Sequence, residues 1–368
     1  MKRALILIAG GLLCAAAIPA FAADSGAYRA PHNSLGQPDL GGTWTNASLT
    51  PQARSPLYGM RAVQSADEVK ALEGAASDKA TAGDAKSDLS KPIAESDNVG
   101  AYNQGWIDGG SRVMRVHGEA RTSLLTTPDG QPPVRKGQSP RVLPADSGSV
   151  EAGKRAVKAA AAVDQLAAQG NTTGQAAALR GGQFDNPEVR ALGERCILSF
   201  GRNGGPPMFS NGWYNNNYQF VQSRDAVVID IEMVHDTRII HLNAKHRTDG
   251  VRPWFGDSIG HYEGNTLVVE TTNIPQVQNY NGSWKDLKVT EKFTRVAKDR
   301  LYYQFTVEDP TIWDNPGGGE YEFGTTNGRI QEYACHEGNY ALEGMLAGAR
   351  EEERLNAEAA SKKPVAAK

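Results

Sequence analysis

Residues 301–308 read Leu-Tyr-Tyr-Gln-Phe-Thr-Val-Glu, and their alternation fixes the local geometry more tightly than any other part of the chain. With side chains leaving a strand on opposite faces in turn, Leu301, Tyr303, Phe305 and Val307 share one face, and Tyr302, Gln304 and Thr306 share the other. Such a strand is half buried. Runs of the same kind recur between residues 195 and 350, at 218–222, 226–234, 238–243, 266–273, 287–296 and 330–337. Turn signals separate them, among them His235-Asp236, Glu263-Gly264-Asn265 and Lys298-Asp299. Short strands at even spacing, without a 20–50-residue repeat, predict a mainly β fold: an antiparallel β-barrel or a curved sandwich.

The rest of the chain is arranged around that block as a single β domain over residues 23–350. Residues 38–50 predict a turn and a short strand carrying Trp44. Residues 51–100 read as a linker with one short helix, where Ser65 stands three residues before Glu68 in the pattern of a capping box. Residues 101–135 return to strand-like chemistry. Residues 139–190 are Ala-rich with few large apolar side chains, which predicts an inserted helical segment with little core of its own. The small, charged residues 351–368 predict a disordered tail.

The first residues have the form of a secretory leader. Lys2 and Arg3 precede an apolar run from Ala4 to Ile18, and Ala20-Phe21-Ala22 fits a cleavage site, so residues 1–22 are expected to be removed and the protein to be periplasmic or secreted. Leu13 before Cys14 does not fit lipid attachment. No later run approaches ~18 apolar residues, so no stable membrane insertion is expected. That leaves Cys196 and Cys335, an even pair in an oxidising compartment, and a disulfide between them is the expectation. A formal net charge of −3 without a basic stripe argues against nucleic acid as a partner. No HExxH, paired CxxC, Walker or dinucleotide glycine pattern is present, and no metal or cofactor is expected. No G-x-S-x-G elbow is present either.

The candidate chemistry gathers in residues 229–242, Ile-Asp-Ile-Glu-Met-Val-His-Asp-Thr-Arg-Ile-Ile-His-Leu. As a hairpin, residues 227–234 form one strand, with Val227, Ile229, Ile231 and Met233 facing the core. His235-Asp236-Thr237 turn, and Arg238–Leu242 return. Asp236 is placed to orient the His235 imidazole, and Arg238 to supply a fixed charge that matches a carboxylate. The competing reading is a turn capped by Asp236, with Arg238 in a surface ion pair. Glu232 and His336 complete the candidate acid–base set. His241, His261, Glu263 and Glu337 join Arg238 as candidate ligand contacts. Residues 202–220 form a Gly/Pro/Asn-rich loop whose Met208, Phe209, Trp213 and Tyr214 either rim a barrel mouth or plug it.

The segments GDSIGHYEGNTLVVETTN, VTEKFTRV, YYQFTVEDP and YACHEGNYALEGMLAGAR, with PDLGGTW near the front, resemble an exported bacterial family of hypothetical proteins. The Gly-x-Trp strand followed by a strand meander is similar to lipocalin-like barrels, which implies a ligand-binding barrel. The expected function is therefore an exported lipocalin-like barrel that binds a small apolar or aromatic ligand with an anionic or carbonyl end. The alternatives are an acid–base enzyme (a hydrolase, isomerase or lyase) using His235, Asp236 and Arg238, and an envelope structural or interaction protein. The oligomeric state is left open.

Overall fold

The alternating runs close into a ring. A computed structural model of the chain describes residues 28–83, 109–138, 184, 186–199, 201–210, 214–326 and 328–361. The expected leader at residues 1–22, residues 84–108, the Ala-rich stretch 139–183 and Trp213 lie outside the described residues. Nine strands form a closed barrel: β1 (Gly42–Thr45), β4 (Asn217–Gln222), β5 (Ala226–Ile231), β6 (Asp236–Leu242), β7 (Asp257–Glu263), β8 (Thr266–Thr272), β9 (Lys288–Ala297), β10 (Arg300–Glu308) and β11 (Gly317–Thr325). The two remaining strands, β2 (Arg115–Val116) and β3 (Glu119–Ala120), make a small hairpin turned at His117 and Gly118. An odd-numbered ring cannot alternate direction all the way round, so one neighbouring pair must be parallel. That pair is β6 with β7, joined by the crossover 243–256.

The lumen is filled by side chains. The inward set of β10 is as the alternation predicts: Leu301, Tyr303 and Val307 are fully buried, and Phe305 is 3 % exposed. Phe220, Phe293, Tyr303, Tyr321 and Phe323 meet with ring centroids 4.8–6.3 Å apart. At one end Trp44 is buried, donates from Nε1 to the Leu40 carbonyl at 3.0 Å and carries the Arg295 guanidinium 5.4 Å from its ring. At the other end residues 202–209 enter the barrel. The Met208 N–H donates to Tyr303 Oη at 3.0 Å, and Tyr321 Oη donates to the Met208 carbonyl at 2.8 Å. Phe209 packs edge-on against Phe305 at 5.3 Å. Of the two readings of this loop, Met208 and Phe209 take the plug.

Three elements differ from expectation, each for a physical reason. Gly317–Gly319 lie outside every run read as a strand, yet they begin β11. A Cβ on Gly319 would sit 2.5 Å from the Phe305 ring, so glycine is what lets this strand pass over that ring. Residues 330–337, expected as a strand, form no ladder; residues 335–338 are the short helix α2 (Cys335–Gly338). Here the backbone is tied by the Cys196–Cys335 disulfide and by the Gln331 N–H, which donates to Glu232 Oε1 at 2.9 Å. The expected disordered tail is helical as far as Ser361, within α3 (Tyr340–Ser361). Arg350–Glu353, Arg354–Glu351 and Arg354–Glu358 are pairs at the three- and four-residue spacings that support an exposed helix. The capping box forms as read, at the start of α1 (Ala66–Gly83): Ser65 N–H donates to Glu68 Oε2 at 2.7 Å, and Glu68 N–H to Ser65 Oγ at 3.3 Å.

Candidate functional site

The β5–β6 connection differs from the simple hairpin in its register. Strand β5 stops at Ile231, and the chain turns over residues 232–235 with Val234 and His235 at φ of 63° and 49°. A β-branched residue is uncommon in this left-handed region, so the turn is held by its surroundings. Glu232, 2 % exposed, supplies one hold: its carboxylate accepts from Asn217 Nδ2 and from the Gln331 N–H. Asp236 is consequently the first residue of β6, where it shares the inward parity of Arg238, Ile240 and Leu242.

The HDTR residues diverge. His235 is exposed, and no hydrogen bond joins its side chain to that of Asp236. Asp236 is half-buried, its Oδ2 has no hydrogen-bond partner among the described residues, and burial pushes its carboxyl up to about 7. Arg238 is inside the barrel. Its Nη2 lies 2.6 Å from Glu291 Oε2 and its Nη1 3.2 Å from Glu291 Oε1, with exposures of 1 % and 0 % for the two side chains. Burial pulls the guanidinium down, and Glu291 beside it more than compensates, so Arg238 ends above its ordinary value. Tyr303 Oη donates to Glu291 Oε1 at 2.8 Å, and burial together with that carboxylate holds the phenol well above its ordinary range. Arg202, lowered to about 10 by burial, donates to the carbonyls of Gln278, Asn279 and Pro206.

The remaining candidates spread over the outside. His241 is exposed on the outer face of β6. His261 and Glu263 pair at 3.0 Å at the exposed end of β7, beside the Gly264-Asn265 turn. His336 and Glu337 are exposed on α2, and Tyr214 stacks on Tyr333 at 6.3 Å. The Gln331–Glu232 bond brings the segment leading to His336 against the 232 turn. No group of three or more His, Cys, Asp or Glu among the described residues is arranged to hold a metal.

Two constellations appear that residue types alone did not single out. The first is an open cleft of about 420 Å³ on the outside of β9, β10 and β11, within the size range of small-ligand sites. Lys292 and Glu320 flank Gln304 across the sheet, and Thr290 and Gly318 flank Thr306 in the next row. Pro128 and Pro316 supply apolar wall. Glu320 is engaged by Arg121 at 2.7 Å and by Tyr302 Oη. Lys292, Gln304 and Thr306 side chains make no hydrogen bond or ion pair among the described residues. The second is His246, whose Nδ1 lies 2.9 Å from Asp257 Oδ2 and whose Nε2 lies 3.2 Å from Glu270 Oε1.

A signal for part of this was present. Glu291 falls at an inward position between Val289 and Phe293, and Arg238 at one before Ile240 and Leu242. Opposite charges on two core-facing strand positions point to a buried pair. Nothing local marks His246. In comparisons with known proteins the chain matches no family model, no curated protein and no solved structure.

Proposed function

We propose that this chain is an exported β-barrel protein that binds a small ligand with an apolar body and an anionic or carbonyl end, in the cleft over β9–β11. The carrying observation is Lys292: a cation without a partner among the described residues, in a cleft of about 420 Å³ whose neighbouring carboxylate, Glu320, is already engaged. Lys292 receives the anionic or carbonyl end, Gln304 and Thr306 add hydrogen bonds, and the ligand body lies against Pro128 and Pro316. The leader sequence supports export. The filled lumen makes the barrel a rigid platform for this surface.

The test is calorimetric titration of the mature protein with a panel of small aromatic carboxylates, alongside native mass spectrometry for a co-purified ligand. Lys292→Ala should weaken binding about tenfold, the size of one charge-assisted hydrogen bond. No binding by the parent protein, or binding that Lys292→Ala leaves unchanged, removes the cleft from consideration. The filled lumen also favours a second reading, an envelope structural or interaction protein, which predicts no small-molecule binding anywhere on the barrel.

A further inference from the structure

The crossover between β6 and β7 is fastened by two different chemistries. Its second half hangs on Arg252, which donates to the carbonyls of Ile274, Trp284 and Lys285 at 2.8, 3.4 and 3.0 Å and lies 5.0 Å from the Trp284 ring. A guanidinium keeps its charge at every accessible pH, so this hold is permanent. The first half hangs on His246. Both of its ring nitrogens face carboxylate oxygens, and an ionised carboxylate is an acceptor only. Imidazolium donates from both nitrogens. Neutral imidazole donates from one and turns a lone pair toward the other carboxylate.

We propose that His246 is a proton-dependent latch that pins residues 243–250 to the β7–β8 hairpin when charged and releases them at the Glu270 side when neutral. Burial decides which contact is lost. The Asp257 side chain is 8 % exposed and accepts also from the Arg247 N–H at 2.8 Å, so it keeps the remaining imidazole proton. Glu270 is 42 % exposed, solvated, and has Lys288 at 3.9 Å as another partner. The other charges around the latch do not replace it. Arg247 is turned to Asp249 at 2.6 Å, and Lys288 is held by Glu308 at 2.9 Å. Asn273 Nδ2 contributes one neutral hydrogen bond to the Arg247 carbonyl at 3.3 Å.

The Arg247 amide reports the state through the loosening of its segment: its acceptor, Asp257, stays in place, and residues 243–250 open more often once the Glu270 contact is lost. Hydrogen exchange on the whole mature protein, expressed as protection factors and measured between about pH 5.5 and pH 8, separates the outcomes. In the parent protein, protection over 244–250 should fall about tenfold as pH rises, as expected for loss of one charge-assisted contact, while protection over 252–256 stays constant. His246→Gln should be weakly protected at both pH values. Glu270→Gln should stay protected at pH 8, since a carboxamide can donate to the neutral Nε2; a purely structural contact would not give that gain. Equal protection at both pH values in the parent protein overturns the latch. So does a pH response that survives in His246→Gln, or a Glu270→Gln variant that opens at pH 8 as the parent does. Should His246→Gln fail to fold by near-ultraviolet circular dichroism, the Glu270→Gln arm decides alone.

Discussion

Strands β9 and β10 carry opposite chemistries on their two faces, one residue apart. Inside, Glu291 accepts from both Tyr303 and Arg238. Outside, their chain neighbours Lys292 and Gln304 make no hydrogen bond or ion pair among the described residues. The contrast follows from solvent. A charge in the lumen has no water to turn to, so it persists only with a partner of matching geometry, and a bidentate guanidinium–carboxylate pair supplies one. A charge on the outer face is satisfied by water, which a ligand can displace. The same strand thus holds the barrel together with one face and offers a surface for recognition with the other.

Substitutions on the two faces should separate these roles. The largest effect is expected from Arg238→Ala, which strands a buried Glu291 and should cost about 3–5 kcal/mol in urea denaturation. Replacing both partners by apolar residues of similar volume, Arg238→Met with Glu291→Leu, should cost less than the single change. Lys292→Ala, on the other face, should leave stability within about 0.5 kcal/mol. If Arg238→Ala proves as mild as Lys292→Ala, the contrast between the faces disappears. Next in size is the Cys196–Cys335 disulfide, which spans 139 residues of chain and ties α2 to the stretch 186–199. Its removal by paired Cys→Ser exchange should cost about 2–4 kcal/mol, read as a lower urea midpoint than the parent's under non-reducing conditions.

A further effect, read as a pH dependence, is expected at Asp236, the first residue of β6. Burial raises its carboxyl to about 7. The folded state therefore binds this proton more tightly than the unfolded state does, and the group's contribution to stability declines as pH rises from about 4 to about 7. Asp236→Asn should remove that decline, raising Tm relative to the parent at pH 8 and leaving it unchanged near pH 3. A parent and variant with parallel Tm profiles across this range would place Asp236 in solvent-like surroundings.

Local order determined a good deal by itself. Alternation marked the inward faces of β5 and β10, and three-residue spacing marked the Ser65–Glu68 box. The cysteine pair was expected from an even count after a leader-like first segment. These are properties of neighbours in sequence, where periodicity and turn chemistry act directly. Other features required the closed barrel. Gly317–Gly319 became strand because Phe305 fills the space beneath them, and residues 330–334 lost their ladder to a disulfide and a carboxylate on other elements. Arg238 meets Glu291 across 53 positions, and His246 meets Glu270 across 24. Strand periodicity says which way a side chain points; which partner stands opposite is set by ring closure, and only the tertiary structure decides it.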